Sequence, residues 1–163
     1  MHQATAIEIT PASPADAPLL LAMIKELAEY EKLAHEVSAT AAGLHQSLFG
    51  ERNSAAAIVA RVNGKPVGFA LYFHNFSTFL GKHGLYLEDL FVTPAHRGSG
   101  VGKSLLAYLA KLAISRDCGR FEWQVLDWNE PAREFYESFG AEANPAWVNY
   151  RISGEALRAL AER

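Results

Sequence analysis

The chain has 163 residues and a formal net charge of −3, with half of its residues hydrophobic and a fifth charged. That balance belongs to a soluble globular protein, and the length suits a single domain, residues 1–163, able to bury roughly two-thirds of its unfolded surface. The chain has no basic run, which argues against nucleic acid as a partner, and no apolar run of membrane-span length; its one cysteine, Cys118, excludes an internal disulfide. With no basic-then-apolar leader at the N-terminus, the expected location is the cytoplasm.

Residues 4–10 alternate weakly and predict a first strand. Ser13-Pro14-Ala15-Asp16 is a helix start, with serine as cap, proline at the first helical position and aspartate in the first turn. Leu19, Leu20, Met23, Ile24 and Leu27 then form an apolar face, and the helix is expected to run to about Leu33. Its polar end contains Tyr30 and Glu31, which either stand in solvent or face a ligand cleft. A shorter helix is expected over 38–49. Residues 55–62 predict a strand, Asn63-Gly64 a two-residue hairpin turn, and residues 66–76 the returning strand. Residues 77–84 read as a loop whose apolar tip, Phe79 and Leu80, either covers a ligand or packs down.

Residues 85–92 are apolar and aromatic apart from Glu88 and Asp89, and they predict a buried strand ended by Thr93-Pro94. In a regular strand the two carboxylates would point to opposite faces, and a bulge would change that. Arg97, Gly98, Gly100 and Gly102 then form a glycine-rich turn, and from Val101 a helix is expected to about Arg116. Strand, glycine turn and helix together suit a phosphate-bearing ligand: glycine lets backbone N–H groups approach an anion, and the first N–H groups of the helix point to the same place. Further on, residues 120–126 are strand-like. Asn129-Glu130-Pro131 starts a helix expected to end at Gly140, residues 147–152 predict a last strand, and residues 156–163 a last helix. The order β-α-α-β-β-β-α-β-α-β-α predicts an α/β fold with a mixed central sheet flanked by helices.

Three phosphate loops are distinguishable. A nucleotide P-loop needs glycine where this chain has Arg97, although its Gly102-Lys103-Ser104 fits and residues 121–127 could imitate a metal-binding strand. The dinucleotide fingerprint fails because Gly102 comes one residue early. The pattern Arg/Gln-x-x-Gly-x-Gly/Ala is met in full by Arg97-Gly98-Ser99-Gly100-Val101-Gly102, and in this the chain resembles the GNAT superfamily of N-acetyltransferases. Longer words resemble its diamine (spermidine/spermine) and thialysine acetyltransferase branch. They are Tyr86-Leu87-Glu88-Asp89-Leu90-Phe91-Val92, Leu126-Asp127-Trp128-Asn129-Glu130-Pro131, Phe135-Tyr136-Glu137 with Gly140-Ala141, and the run from Ile24 to Glu31.

The resemblance implies an acetyl-CoA-dependent N-acetyltransferase of a small amine, working by direct transfer in a ternary complex; an acetyl-CoA-binding sensor without turnover is the rival. It implies coenzyme contacts at Leu90, Phe91 and Val92 along the pantetheine, at Arg97, Gly98, Ser99, Gly100, Val101, Gly102 and Lys103 around the pyrophosphate, and at Asn129 and Tyr136. An alkylammonium must lose a proton before it attacks. Glu88 is the candidate for receiving that proton, against a purely structural role, and Tyr136 is the candidate acid for the thiolate. Asp89 is a second substrate contact or a fold-stabilising acceptor. Tyr30, Glu31, Glu122, Trp123 and Gln124 are the remaining implied substrate contacts. Between Ala141 and Trp147 the chain lacks the longer acidic segment of the diamine enzymes, which argues against long polyamines. His35, His45, His74, His83 and His96 have no metal-ligand spacing, so no metal is expected. A homodimer, with residues 147–152 at the interface, is implied by the resemblance.

Overall fold

A computed structural model describes residues 5–163, and the chain divides between Gln124 and Val125 into two compact units. The first unit holds β1 (Ile7–Pro11), α1 (Ala17–Tyr30), α2 (Ala41–Phe49), β2 (Ala56–Val62), β3 (Lys65–Ser77), β4 (Lys82–Val92), α3 (Val101–Ser115) and β5 (Phe121–Trp123). Its five strands lie in the order β1-β2-β3-β4-β5. The first three pairings are antiparallel and β4–β5 is parallel, so the sheet is mixed, as expected. Ala4, where the first strand was expected to begin, lies outside the described residues.

Local chemistry sets the element ends. The Ser13 N–H donates to Asp16 Oδ2 at 2.8 Å, and a 3-10 turn over Pro14–Asp16 leads into α1. α1 stops at Tyr30 rather than Leu33, because Lys32 takes a left-handed φ of 61° and the Leu33 N–H bonds back to the Ala28 carbonyl at 2.8 Å. Thr40 Oγ1 accepts from the Gly43 N–H at 3.0 Å, so α2 begins at Ala41 and not at Ser38. Asn63 and Gly64 both have positive φ, 51° and 76°, as a two-residue hairpin turn requires.

The sheet is covered on both faces. Leu20 and Met23 of α1 and Leu48 of α2 pack with Val59, Phe69, Leu71 and Phe91. A Cβ on Gly68 would meet Val101 and Leu105 of α3, so Gly68 and Phe69, adjacent in sequence, face opposite layers. Leu20, Leu105 and Leu109 are fully buried, and truncating any of them to alanine should cost about 2–5 kcal/mol.

Two further expectations are corrected in the first unit, and one left open is decided. No eight-residue loop separates β3 from β4: Phe76 pairs with His83 and Ser77 with Lys82, which leaves only residues 78–81 at the tip. There Phe79 is 98 % exposed, and Leu80 packs against Gly119. β5 is three residues long, because only Phe121, Glu122 and Trp123 find partners on β4, so Gln124 lies outside the strand. The strand carrying Glu88 is not regular: Leu71 pairs with Asp89 but Tyr72 pairs with Leu87, so Glu88 is the extra residue of a β-bulge.

The second unit contains α4 (Glu130–Glu137) and α5 (Gly154–Ala161). Asn129 Oδ1 accepts from the Ala132 N–H at 3.4 Å to start α4, and Gly140, with φ 86°, follows its end. The last strand expected over 147–152 is absent. Val148, Tyr150 and Ile152 alternate as a strand would, but the segment has no ladder partner, and a strand pattern without a neighbour leaves the backbone irregular. Trp147, Val148 and Tyr150 are 77 %, 73 % and 92 % exposed. No helix among the described residues is long and apolar enough to cross a membrane.

Candidate active site

The chain between the end of β4 and the start of α3 forms an anion cradle. Gly98 and Gly100 have φ of 76° and 91°, a left-handed conformation that an L side chain adopts only with strain. Nothing lies within 4 Å of a Cβ built on either, so glycine is required there by backbone conformation, and the space above the turn is open. The first helical bond of α3 runs from the Ser104 N–H to the Gly100 carbonyl at 3.0 Å. The N–H groups of Val101, Gly102 and Lys103 precede it and face out of the helix end, where partial positive charge accumulates. Ser99 Oγ donates to the His96 carbonyl, and Thr93 Oγ1 is 3.0 Å from His96 Nδ1, which stiffens the approach to the turn. The backbone thus fits a pyrophosphate.

Arg97 is held by neighbours within the chain. Its Nε donates to the Val92 carbonyl at 3.1 Å, and its guanidinium lies over the Tyr30 ring at 4.8 Å and the Phe91 ring at 5.9 Å. The arginine therefore ties the glycine turn to the end of β4 and to the end of α1, with a cation–π contact at each ring. It also occupies a carbonyl on the strand segment expected to line the coenzyme.

The bulge creates the acidic part of the site. Directly paired residues share a face of the sheet, so Asp89, opposite Leu71, lies on the face covered by α1. Burial pushes the Asp89 pKa up to about 6, and the charges of Glu88 and then Glu31 add to the rise. Burial also raises Glu31, at the C-terminal cap of α1. Glu31, Glu88 and Asp89 are thus close enough to feel one another, and the bulge replaces the opposed orientation that a regular strand would have given the last two.

On the same face Tyr86 stacks against Phe73, with ring centroids 5.0 Å apart, and its register partner on β5 is Glu122. Tyr86 is held above the ordinary phenol range by burial, then by Glu88 and Glu122. Glu122 is not a bare carboxylate. Its Oε1 lies 2.7 Å from Arg120 Nε in an ion pair and accepts from Asn75 Nδ2 at 3.1 Å. Arg120 and Asn75 carried no expectation from the sequence; the signal for Arg120 was its i, i+2 spacing from Glu122, which puts both on one face of a strand. Trp123 falls on the alternate face, its ring 5.0 Å from Phe121, and Gln124 is exposed.

The structure therefore brings Tyr30, Glu31, Glu88, Asp89, Leu90, Phe91, Val92, Glu122 and the turn from Arg97 to Lys103 together in one unit. Asn129 and Tyr136 belong to the second unit, where Tyr136 stacks on Phe135 at 5.5 Å and Asn129 caps α4. Among the described residues no group of three or more His, Cys, Asp or Glu side chains could hold a metal ion. His83 Nε2 donates to the Arg116 carbonyl at 2.8 Å, and Arg116 Nη1 donates to His74 Nε2 at 3.3 Å.

Residues 20–141 match the family described as Acetyltransferase (GNAT) family. The thialysine N-epsilon-acetyltransferase of Mus musculus is 36 % identical over 166 residues, covering 95 % of this chain and 97 % of the relative. The L-ornithine N5-acetyltransferase NATA1 of Arabidopsis thaliana is 31 % identical, covering 91 % of this chain and 85 % of the relative. Among solved structures, an integron cassette protein from the mobile metagenome of V. cholerae superposes with a TM-score of 0.80 at 30 % identity, over 96 % of this chain and 98 % of that one.

Proposed function

Because the chain belongs to the GNAT acetyltransferase family, we propose that it moves the acetyl group of acetyl-CoA directly to the primary amine of a small molecule, an amino acid of the thialysine type or a diamine, within a ternary complex. The observation that carries this reading is the adjacency, along one strand and the turn after it, of an acidic bulge and an anion cradle. The relatives named for thialysine and ornithine support an amine as the acceptor.

Acetyl-CoA, when bound, supplies the activated thioester. The N–H groups from Gly98 to Lys103 hold its pyrophosphate, and Arg97 acts by fixing the turn rather than by reaching into solvent. The main chain of Leu90 to Val92 lines the pantetheine. An alkylammonium with a pKa of about 10.4 enters charged and must lose a proton to become a nucleophile. Glu31, Glu88 and Asp89 attract the cation, and the bulge carboxylates accept the proton. Asp89 shares this task with Glu88: with its pKa at about 6 it is ionised at neutral pH and is a stronger base than an ordinary aspartate. Tyr136 is assigned proton donation to the leaving thiolate on the family resemblance alone.

The test is release of free thiol from acetyl-CoA with a panel containing thialysine, lysine, ornithine, cadaverine, putrescine and spermidine. Glu88→Gln and Tyr136→Phe are each expected to lower kcat by roughly 10²–10⁴-fold, the range general acid–base groups supply. Turnover unaffected by both changes would overturn the assignment of these residues. Acetyl-CoA binding with no amine acetylated would replace the enzyme by a sensor.

A further inference from the structure

Beyond the acidic bulge, the same face of the sheet carries a charge pair that the acetyl-transfer step does not use. Arg120 and Glu122 are two residues apart along the strand direction and share a face. The pairing of Glu122 with Tyr86 makes it the face of Phe73 and Asp89. Gly84 stands beside Arg120, whose carbonyl accepts from the Leu85 N–H at 3.0 Å. A Cβ on Gly84 would collide with Asn75 Oδ1 and come within 3.3 Å of Arg120 Cγ. The missing side chain therefore makes the space in which the arginine stem and the asparagine amide lie. Asn75 Oδ1 is buried there without a hydrogen-bond partner, while the other end of the same amide holds Glu122. An orphaned buried acceptor is a cost to the fold, offset here by keeping one carboxylate in one orientation.

The geometry of the pair is open on one side. Glu122 Oε1 takes both the hydrogen bond from Asn75 Nδ2 and the 2.7 Å ion-pair contact with Arg120 Nε. Among the described residues no hydrogen bond ends on Oε2 or starts from the terminal amino groups of Arg120, and both side chains are about two-fifths exposed. A patch built for a second ammonium group would present an uncompensated carboxylate. This one presents a guanidinium and a carboxylate side by side, with no net charge, and its complement is a zwitterion.

We propose that Arg120 and Glu122 receive the α-carboxylate and the α-ammonium of an amino acid whose side-chain amine is the acetyl acceptor, with Asn75 positioning Glu122. The carboxylate takes the two-pronged contact that a guanidinium offers. The bulge lies two to three residues along β4 from Tyr86, roughly 7–10 Å at about 3.3 Å per residue. An amino acid with an ornithine- or lysine-length side chain, met by the side chains at both ends, spans that interval. The inference rests on the acetyltransferase reading and narrows its substrate class.

The test compares each amino acid with its decarboxylated counterpart, lysine with cadaverine and ornithine with putrescine, using the whole chain and acetyl-CoA. The wild type is expected to have the higher kcat/KM for the amino acid. Arg120→Met should lower the amino-acid-to-diamine ratio of kcat/KM at least tenfold, mainly through KM, and Arg120→Lys should restore part of it. Glu122→Gln should lower amino-acid kcat/KM in the same way and provides a second variant if Arg120→Met folds poorly. A wild type that prefers the diamines, or an Arg120→Met variant that loses equally on both, overturns this inference and leaves the acetyltransferase standing. Failure to acetylate any amine overturns both.

Discussion

Replacing Asp89 with asparagine separates what this carboxylate costs the fold from what it contributes to chemistry. Its pKa stands at about 6, against 3.8 for an unperturbed aspartate. Between those values the folded chain binds more protons than the unfolded one, so stability falls as pH rises through that window, and the whole cost is present above it. A displacement of about two pH units corresponds to roughly 3 kcal/mol. Water reaches the half-buried site and weakens the effect, which leaves about 1–3 kcal/mol. Asparagine keeps the shape and cannot ionise. The Asp89→Asn protein should therefore melt higher than the wild type above pH 7, by roughly 2–12 °C for a chain of this size. The difference should close as the pH approaches 4. Thermal unfolding followed by circular dichroism from pH 4.5 to 8.5 measures it. In parallel, amine acetylation at pH 7 should fall by about 10²-fold or more. A melting difference that does not change with pH, or a variant less stable than the wild type at pH 8, would refute the placement of Asp89 as a carboxylate held in an unfavourable site.

Two further outcomes are expected. Gly100→Ala forces a side chain into a φ of 91° and should cost about 1–2 kcal/mol of stability; it should also weaken CoA binding severalfold in a calorimetric titration, and unchanged affinity would remove the turn from the coenzyme site. The exposed alternation of Val148, Tyr150 and Ile152 supports the homodimer implied by the family resemblance. Sedimentation at tens of micromolar should then give twice the chain mass, reduced to one by Val148→Glu with Tyr150→Glu, and a monomeric wild type would end that reading.

What was legible in the sequence was local. The Asn63-Gly64 turn, the Ser13-to-Asp16 start and the run from Arg97 to Lys103 are set by dihedral preferences and caps within a few residues, and they stand where the pattern puts them. The polar residues Lys82 and His83 disguised the first part of β4, because nothing in one strand reveals that its partner continues opposite it. The opposite failure occurred at 147–152, where strand chemistry was present and a partner was not.

The site itself depends on the kind of information that one strand lacks. Glu88 and Asp89 adjoin in every reading of the chain, but only the pairing of β4 with β3, one residue out of step at Tyr72, makes Glu88 the extra residue and sets Asp89 under α1 beside Glu31. Arg97 stands over Tyr30, 67 residues earlier in the sequence, a contact that its motif does not reveal. Glu122 looks like a lone anion until Asn75 and Arg120 are found on the same oxygen. In each case a charge legible from the motif has a neighbour that lies far from it in the sequence. Substrate choice in this chain should therefore be governed more by the residues beside the motifs, Arg120 and Asn75 among them, than by the motifs themselves.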